Sequence, residues 1–230
     1  MDDKLEELSC LLYDNTERKE FDRRIRDSLK EKEVLLQEVH HRVKNNLQVI
    51  SSILNLQSSY VKDEKTLEVL RESQQRIKSM SFLHETIYRT ADFSKLEFTN
   101  YLRSIASNLI QSYRTSETQI IFEDNMETVF LNLDQSIPCG LIVNELVSNA
   151  LKYAFKGRKK GRLKINLNET DNIVNLMISD DGVGLPKEFN YDKTDSLGIQ
   201  LVYALIEQLD AKMEVTNKKG ASFSISFMKK

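Results

Sequence analysis

Little in this chain of 230 residues can interrupt regular structure: it has 2 prolines and 7 glycines. Most of it should therefore be helix and strand, not linker. The two cysteines, Cys10 and Cys139, lie far apart in segments of different pattern, so neither a disulfide framework nor a metal-ligand spacing follows from them. No run is long and apolar enough to span a bilayer, and no signal peptide is visible. The segment is expected to be cytoplasmic without touching a membrane itself, either free or as the intracellular part of a membrane-bound receptor. An excess of one charge is also missing. Lys and Arg total 33 against 35 Asp and Glu, a net charge of -2, which lacks the basic excess of a nucleic-acid binder. Histidine is scarce too. There are 3, and two of them, His40 and His41, are adjacent, so imidazole chemistry has few places to occur.

What is present begins with a long helical pattern. From Glu17 to Tyr60 there is no proline or glycine, and charges alternate in sign. Leu36, His40, Val43, Leu47, Ile50, Leu54, Gln57 and Val61 follow at steps of four and three, a heptad seam with two polar interruptions. Val49, Ile53, Leu56 and Tyr60 widen the apolar face beyond a two-stranded seam. After the polar break Lys62-Asp63-Glu64, a second helix carries Leu67, Leu70, Ile77, Met80, Leu83, Ile87 and Tyr88, and fades near Thr90-Ala91-Asp92. Such a hairpin cannot bury its own apolar faces, and two copies make a four-helix bundle, so a homodimer is expected. His40 falls in the seam. His41 is rotated by about 100° toward the flank, where another domain can reach it. Neutral imidazole keeps a lone pair near physiological pH and accepts a phosphoryl group well, so His41 is the better acceptor, with His40 packing or orienting. Glu38, one turn before, is the candidate for orienting the imidazole or taking its proton. Asn45, one turn after, is a candidate for positioning water. His84 reads as a packed or surface histidine.

From about Asp92 the pattern changes. Phe98 to Tyr113 reads as one amphipathic helix, and Gln119 to Glu123 and Thr128 to Asn132 as short strands. Asp134 is the expected N-cap of a helix running through Ala154 despite Pro138. Gly161 to Asn168 and Ile173 to Ser179 alternate as strands about the turn Thr170-Asp171-Asn172. A helix at Ser196 to Leu209 and a last hairpin, Lys212 to Thr216 and Ala221 to Phe227, complete a mostly antiparallel α+β sandwich. The N-terminal stretch is open to two readings: a frayed start before a solvated helix, or, from the strand character of Leu8 to Tyr13, the closing strand of an upstream sensor domain.

Three pieces of the second half carry chemistry. Glu145, Asn149 and Lys152 or Tyr153 share one helix face, and an acid, an amide and an amine there can hold a hydrated magnesium ion and the phosphates it bridges. Asp180-Asp181-Gly182-Val183-Gly184 leaves a strand. Its first aspartate suits the amino group of a base, and its glycines let backbone approach a flat ring. Ser196-Leu197-Gly198 opens a helix whose exposed N–H groups suit a phosphate, and Lys187 and Lys193 in the loop between would screen phosphate charge. Each piece alone also fits a solvated face or a turn; the three in this order point to a nucleotide.

That order and spacing resemble the Bergerat-fold ATP-binding domain of gyrase, Hsp90, MutL and histidine kinases. The run Asn144 to Tyr153 looks like its N-box, Asp180 to Gly184 its G1 box, Ser196 to Leu201 a reduced G2 box, and Gly220-Ala221-Ser222-Phe223 the glycine motif of its last strand. The run Glu38-Val39-His40-His41-Arg42-Val43-Lys44-Asn45-Asn46-Leu47 resembles the phosphoacceptor motif of the second histidine-kinase dimerisation family, related to the HWE kinases. Asp14 to Lys19 resembles the end of a PAS domain. The resemblance implies a sensor histidine kinase of a two-component system, with ATP and Mg2+ as cofactors, an upstream sensor, and a response-regulator receiver domain as partner. It implies that His41 is the acceptor, that Asn149 ligates Mg2+ with Glu145 supporting its water shell, that Asp180 binds the adenine amino group, that Lys152 meets phosphate and Tyr153 the base. Gly182, Gly184, Ser196, Leu197, Gly198 and Ser222 complete the implied nucleotide site. The expected division is a sensor remnant at 1–16, a signalling helix at 17–35, the phosphotransfer hairpin at 36–92 and the ATP-binding domain at 93–230. The loop between Gly184 and Ser196 is short and lacks the extra phenylalanine motif of many histidine kinases. Arg42 stands where common histidine kinases carry an acid.

Overall fold

A computed structural model describes residues 2–88, 96–113, 118–186 and 196–230. Side chains are described from Arg18 onward, with gaps along the first two helices that include His40 and His84. The roles expected of those two side chains, and of Lys187 and Lys193, lie outside the described residues. By compactness the chain forms two units, Met1–Gln74 and Gln75–Lys230.

In the first unit, helix α1 covers Asp2–Ser58 and helix α2, Glu64–Tyr88, begins. Leu8 to Tyr13, a strand in one of the two readings, is helical; a short apolar run fits either period, and here it continues the helix behind it. α2 starts where Asp63 caps it, its Oδ2 accepting from Thr66 N at 2.9 Å and Thr66 Oγ1 at 2.6 Å. The caps hold the turn but cannot cover the apolar face. Val49, Ile53, Leu56 and Tyr60 are 56%, 52%, 63% and 79% exposed. That is the surface the broadened heptad pattern marks as needing a partner.

The second unit adds β1 (Leu96–Glu97), α3 (Phe98–Ser112), β2 (Gln119–Met126), β3 (Phe130–Leu131), α4 (Leu133–Asn149), a π turn (Ala150–Ala154), β4 (Lys160–Thr170), β5 (Ile173–Asp180), α5 (Leu197–Gln208), β6 (Lys212–Asn217) and β7 (Ala221–Met228). One five-stranded sheet has the order β2-β4-β5-β7-β6, and β1 pairs with β3 separately. The sheet is antiparallel except where β2 pairs in parallel with β4. Strand alternation puts Leu163, Ile165 and Leu167 of β4, Val174, Leu176 and Ile178 of β5, and Phe223, Ile225 and Phe227 of β7 on the core face. The core is completed by Leu102 and Ile105 of α3, Ile142 and Val143 of α4, and Val202 and Ile206 of α5. This is the expected α+β sandwich, which follows the helical hairpin in the chain.

Two turns follow from residue chemistry. β4 and β5 are joined through Asp171 and Asn172 at φ 52° and 63°, the left-handed pair that a tight hairpin needs and that short polar side chains tolerate. α4 is capped by Asn132, not Asp134. The Asn132 side chain accepts from Gln135 N at 3.0 Å, while Asp134 falls in the first turn, where a negative charge favours the helix dipole. Asn132→Ala is expected to lower unfolding free energy by about 1 kcal/mol, read as a shifted midpoint in chemical unfolding.

Candidate functional site

α4 carries the first part of the site, and its ending sets the geometry. The helix passes into the π turn directly after Asn149. A π turn widens the backbone, and Lys152 and Tyr153 stand on it. Its last carbonyl, at Ala154, accepts from Val183 N at 3.0 Å. That bond brings the loop after β5 against the helix end, and it sets the demand for glycine there. A Cβ on Gly182 would lie 2.3 Å from the Ala154 oxygen.

The loop after β5 is built around two aspartates with different tasks. Asp180 Oδ1 accepts from Gly182 N at 2.8 Å and from Ala221 N at 3.3 Å, leaving its other oxygen for a ligand. Burial raises its pKa above the ordinary 3.8, and the two backbone N–H groups offset part of that. Asp181 turns away. Its Oδ1 accepts from Arg162 N at 2.8 Å, its own N–H donates to Arg162 O at 3.1 Å, and its carbonyl accepts from the Arg158 guanidinium. Asp181 thus extends the β4–β5 ladder and braces the strand end from which Asp180 projects.

Asn149, Tyr153, Asp180, Gly184 and Ser196, all expected site residues, line one cavity of about 590 Å³, within the range of small-molecule sites. Apolar groups that sequence reasoning did not select form much of the rest: Leu146, Ala154, Val183, Leu185, Ile199 and Phe223. Tyr153 is 48% exposed, with Lys156 Nζ 5.3 Å from its ring centroid. A flat polar group against one aspartate, between apolar walls, is what this cavity can hold.

Other expected site residues stand around the cavity without lining it. Ser222 is a correction. Side chains alternate along β7, so Ala221 and Phe223 face the cavity and Ser222 faces the other side of the sheet. Gly182 supports the loop from behind. Gly198 does the same for α5, since a Cβ there would meet Glu145 Oε2 at 2.6 Å and Arg76 Nη2 at 3.0 Å. Leu197 is exposed at the start of α5, and Lys152 is half-buried on the π turn. Glu145 is nearly closed off. Its Oε2 accepts from Arg76 Nε at 3.1 Å, with 6% of the Glu145 side chain and 20% of the Arg76 side chain exposed. Arg76 was not legible as a partner because 69 residues separate the two.

In the first unit, His41 is exposed on α1. Glu38, expected to orient it, accepts instead from Arg42 Nε at 2.8 Å. Asn45 is exposed one turn further on.

The comparisons agree with this division. Residues 134–230 match the family described as histidine kinase-, DNA gyrase B-, and HSP90-like ATPase, so the sandwich with its cavity is an ATP-binding module of that class. Residues 38–113 match a family described as histidine kinase. Sensor histidine kinase PdtaS of Mycolicibacterium smegmatis is 30% identical over 207 residues, covering 89% of this chain and 40% of that protein. Blue-light-activated histidine kinase 2 of Erythrobacter litoralis is 26% identical over 186 residues, covering 79% of this chain and 53% of that protein. The solved histidine kinase domain of a blue-light activated histidine kinase from Erythrobacter litoralis has a TM-score of 0.60 at 26% identity, covering 84% of this chain and 92% of that one. The chain belongs to the sensor histidine kinase family, and it spans 40% and 53% of the two curated relatives. Among the described residues, no helix is long and apolar enough to cross a membrane.

The raised pKa of Asp180 has a consequence for stability. The folded state holds this proton more tightly than the unfolded chain does, so keeping the group ionised costs stability at neutral pH. The cost fades as pH falls through the raised value toward 3.8. Asp180→Asn keeps an oxygen for both backbone N–H groups. In nucleotide-free thermal unfolding it should be more stable than wild type near neutrality, with the difference closing on acidification.

Proposed function

We propose that this segment is the kinase part of a homodimeric sensor histidine kinase. It uses Mg-ATP to phosphorylate His41 and then passes the phosphoryl group to an aspartate on the receiver domain of a response regulator. The observation that carries the reading is the pairing, in one chain, of an exposed histidine inside the histidine-kinase match with a cavity that presents Asn149 and Asp180 together. Phosphoryl transfer asks mainly for positioning and charge stabilisation, which such a division supplies. A His41 ring nitrogen attacks the γ-phosphorus, the bond to the bridging oxygen breaks, and ADP leaves. The ring sheds the proton of its other nitrogen, and a receiver carboxylate later displaces the imidazole from phosphorus.

In the cavity, Asp180 accepts the amino group of adenine with the oxygen not engaged by backbone. Leu146, Ile199 and Phe223 supply apolar walls, Tyr153 stands against the base and Lys152 on the phosphate side. Among the described residues no three or more His, Cys, Asp or Glu side chains are grouped so as to hold a metal ion. The donor set therefore suits an ion that takes one or two protein oxygens and completes its shell with phosphates and water, as magnesium does. Asn149 would hold it through its amide oxygen, with Glu145 behind, and there it would screen the phosphate charge. The apolar face of α1 and the turn after it supports the homodimer, since Val49, Ile53, Leu56 and Tyr60 are exposed and a second copy would cover them.

Two measurements test this reading. With γ-labelled ATP and magnesium, wild type and His40→Ala should take up acid-labile, alkali-stable label, and His41→Ala should take up none. Label retained by His41→Ala and lost in His40→Ala would move the acceptor to the neighbouring residue. Asp180→Asn should weaken labelled ADP binding by roughly ten- to a hundredfold, because its NH2 group meets the adenine amino group donor to donor. An unchanged affinity would remove Asp180 from base recognition.

A further inference from the structure

We propose that Asn217, at the end of β6 and outside the cavity, is a positioning residue for nucleotide binding, because its carboxamide clamps the peptide of Leu185 that forms part of the cavity wall. This rests on the nucleotide reading of the cavity. Asn217 Oδ1 accepts from Leu185 N at 2.9 Å, and Asn217 Nδ2 donates to Leu185 O at 2.8 Å. One side chain thereby satisfies both polar groups of one residue, as a neighbouring strand would.

The loop is shaped to receive it. Gly184 has φ +76°, a conformation that favours glycine, and a Cβ there would lie 2.3 Å from Asn217 Oδ1. No other residue lets the backbone pass so close beneath the amide. Leu185 precedes Pro186, which restricts it toward extended conformations, and Gly184, Leu185 and Pro186 all line the cavity. Asn217 does not. Its effect on a ligand runs through the wall it holds.

The same hairpin grips the other end of this loop. Ala221 N donates to Asp180 Oδ1 at 3.3 Å, and Gly220 at φ +95° lies so close that a Cβ would reach 2.0 Å from Asp180 O. The turn between β6 and β7 therefore holds the loop at Asp180 through its C-terminal end and at Leu185 through Asn217. Without the amide, the second hold is gone, and among the described residues the backbone hold that remains on the wall from Val183 to Pro186 is the Val183 N–H on Ala154. A ligand must then order that wall as it binds, which lowers affinity without touching the reacting atoms.

Asn217→Ala in the whole segment should raise the Kd for N-methylanthraniloyl-ADP about five- to tenfold, the loss of two neutral hydrogen bonds at an exposed site. The KM for ATP in autophosphorylation should rise in parallel, and the rate at saturating ATP should change by less than about twofold. Nucleotide-free thermal unfolding should stay within a few degrees of wild type. Gly184→Ala provides the second arm. If the two residues act as one contact, the double variant binds ADP no worse than the weaker single variant, whereas independent effects would multiply. A wild-type Kd for Asn217→Ala, or multiplicative effects in the double variant, overturns the assignment. A lost melting transition with unchanged affinity in the folded fraction overturns it as well. If the wild-type segment binds no labelled ADP, the nucleotide reading falls first and this one with it; a wild type that binds while Asn217→Ala binds equally well removes Asn217 alone.

Discussion

The carboxylate of Asp180 sits at the end of a core strand with two backbone N–H groups on one oxygen, and the rest of the second unit is arranged around that constraint. Placing an ionisable group there costs solvation, seen in the raised pKa. The cost is borne because the loop and the hairpin both end on it: Gly182 N and Ala221 N donate to the same Oδ1. Their convergence forces the loop back under the end of α4, where Val183 meets the open carbonyl of the π turn. The glycines follow from that path. Gly182 passes the Ala154 carbonyl at a distance no side chain allows, and Gly220 does the same beside Asp180 O. The loop after β5 is tightly held from Asp180 to Leu185.

Much of the fold could be read from the chain because its elements are strongly periodic and cleanly punctuated. The amphipathic stretch expected at Phe98 to Tyr113 forms a helix at Phe98–Ser112, and the turn at Thr170-Asp171-Asn172 joins β4 to β5. The errors share a cause. Periodicity gives an element and its buried face but not its partner, so the parallel pairing of β2 with β4 was not legible, nor was a two-residue strand such as β1. Asn132 was passed over as a cap because Asp134, two residues on, carries the same chemistry. Ser222 belongs to the motif in sequence, yet strand parity puts it on the opposite face to Ala221 and Phe223. The residues that brace the site, Arg76 on Glu145 and Asn217 on Leu185, act across long sequence separations. No local pattern marks them.

The two units divide the chemistry by the kind of surface each needs. A nucleotide requires a rigid concave wall, and the sandwich provides it from buried strands and a braced loop. The proposed acceptor, His41, requires access, and it stands exposed on the same helix as an exposed apolar stripe. These demands conflict within a single compact core. A helix that buried both its apolar stripe and its flank would hide the imidazole. In the proposed dimer, covering the stripe with a second copy while leaving the flank open would resolve the conflict.

The pair formed by Glu38 and Arg42 bears on how such a helix could manage without an acid directly after the proposed acceptor, His41. Glu38 lies three residues before His41 and four before Arg42, so its carboxylate is a helical neighbour of both. In the present structure it accepts from Arg42 at 2.8 Å, with the two side chains 56% and 74% exposed. An exposed pair of this kind is worth at most about 1 kcal/mol, so little free energy holds Glu38 to the arginine and away from the imidazole. The arginine also has a stronger partner available, since guanidinium binds phosphate oxygens in a two-pronged fashion. A phosphate arriving at His41 would compete for Arg42 and release Glu38 at the moment a proton must leave the ring. The arginine beside the acceptor is therefore compatible with a carboxylate base one turn earlier, and the weakness of the pair is what makes the exchange accessible.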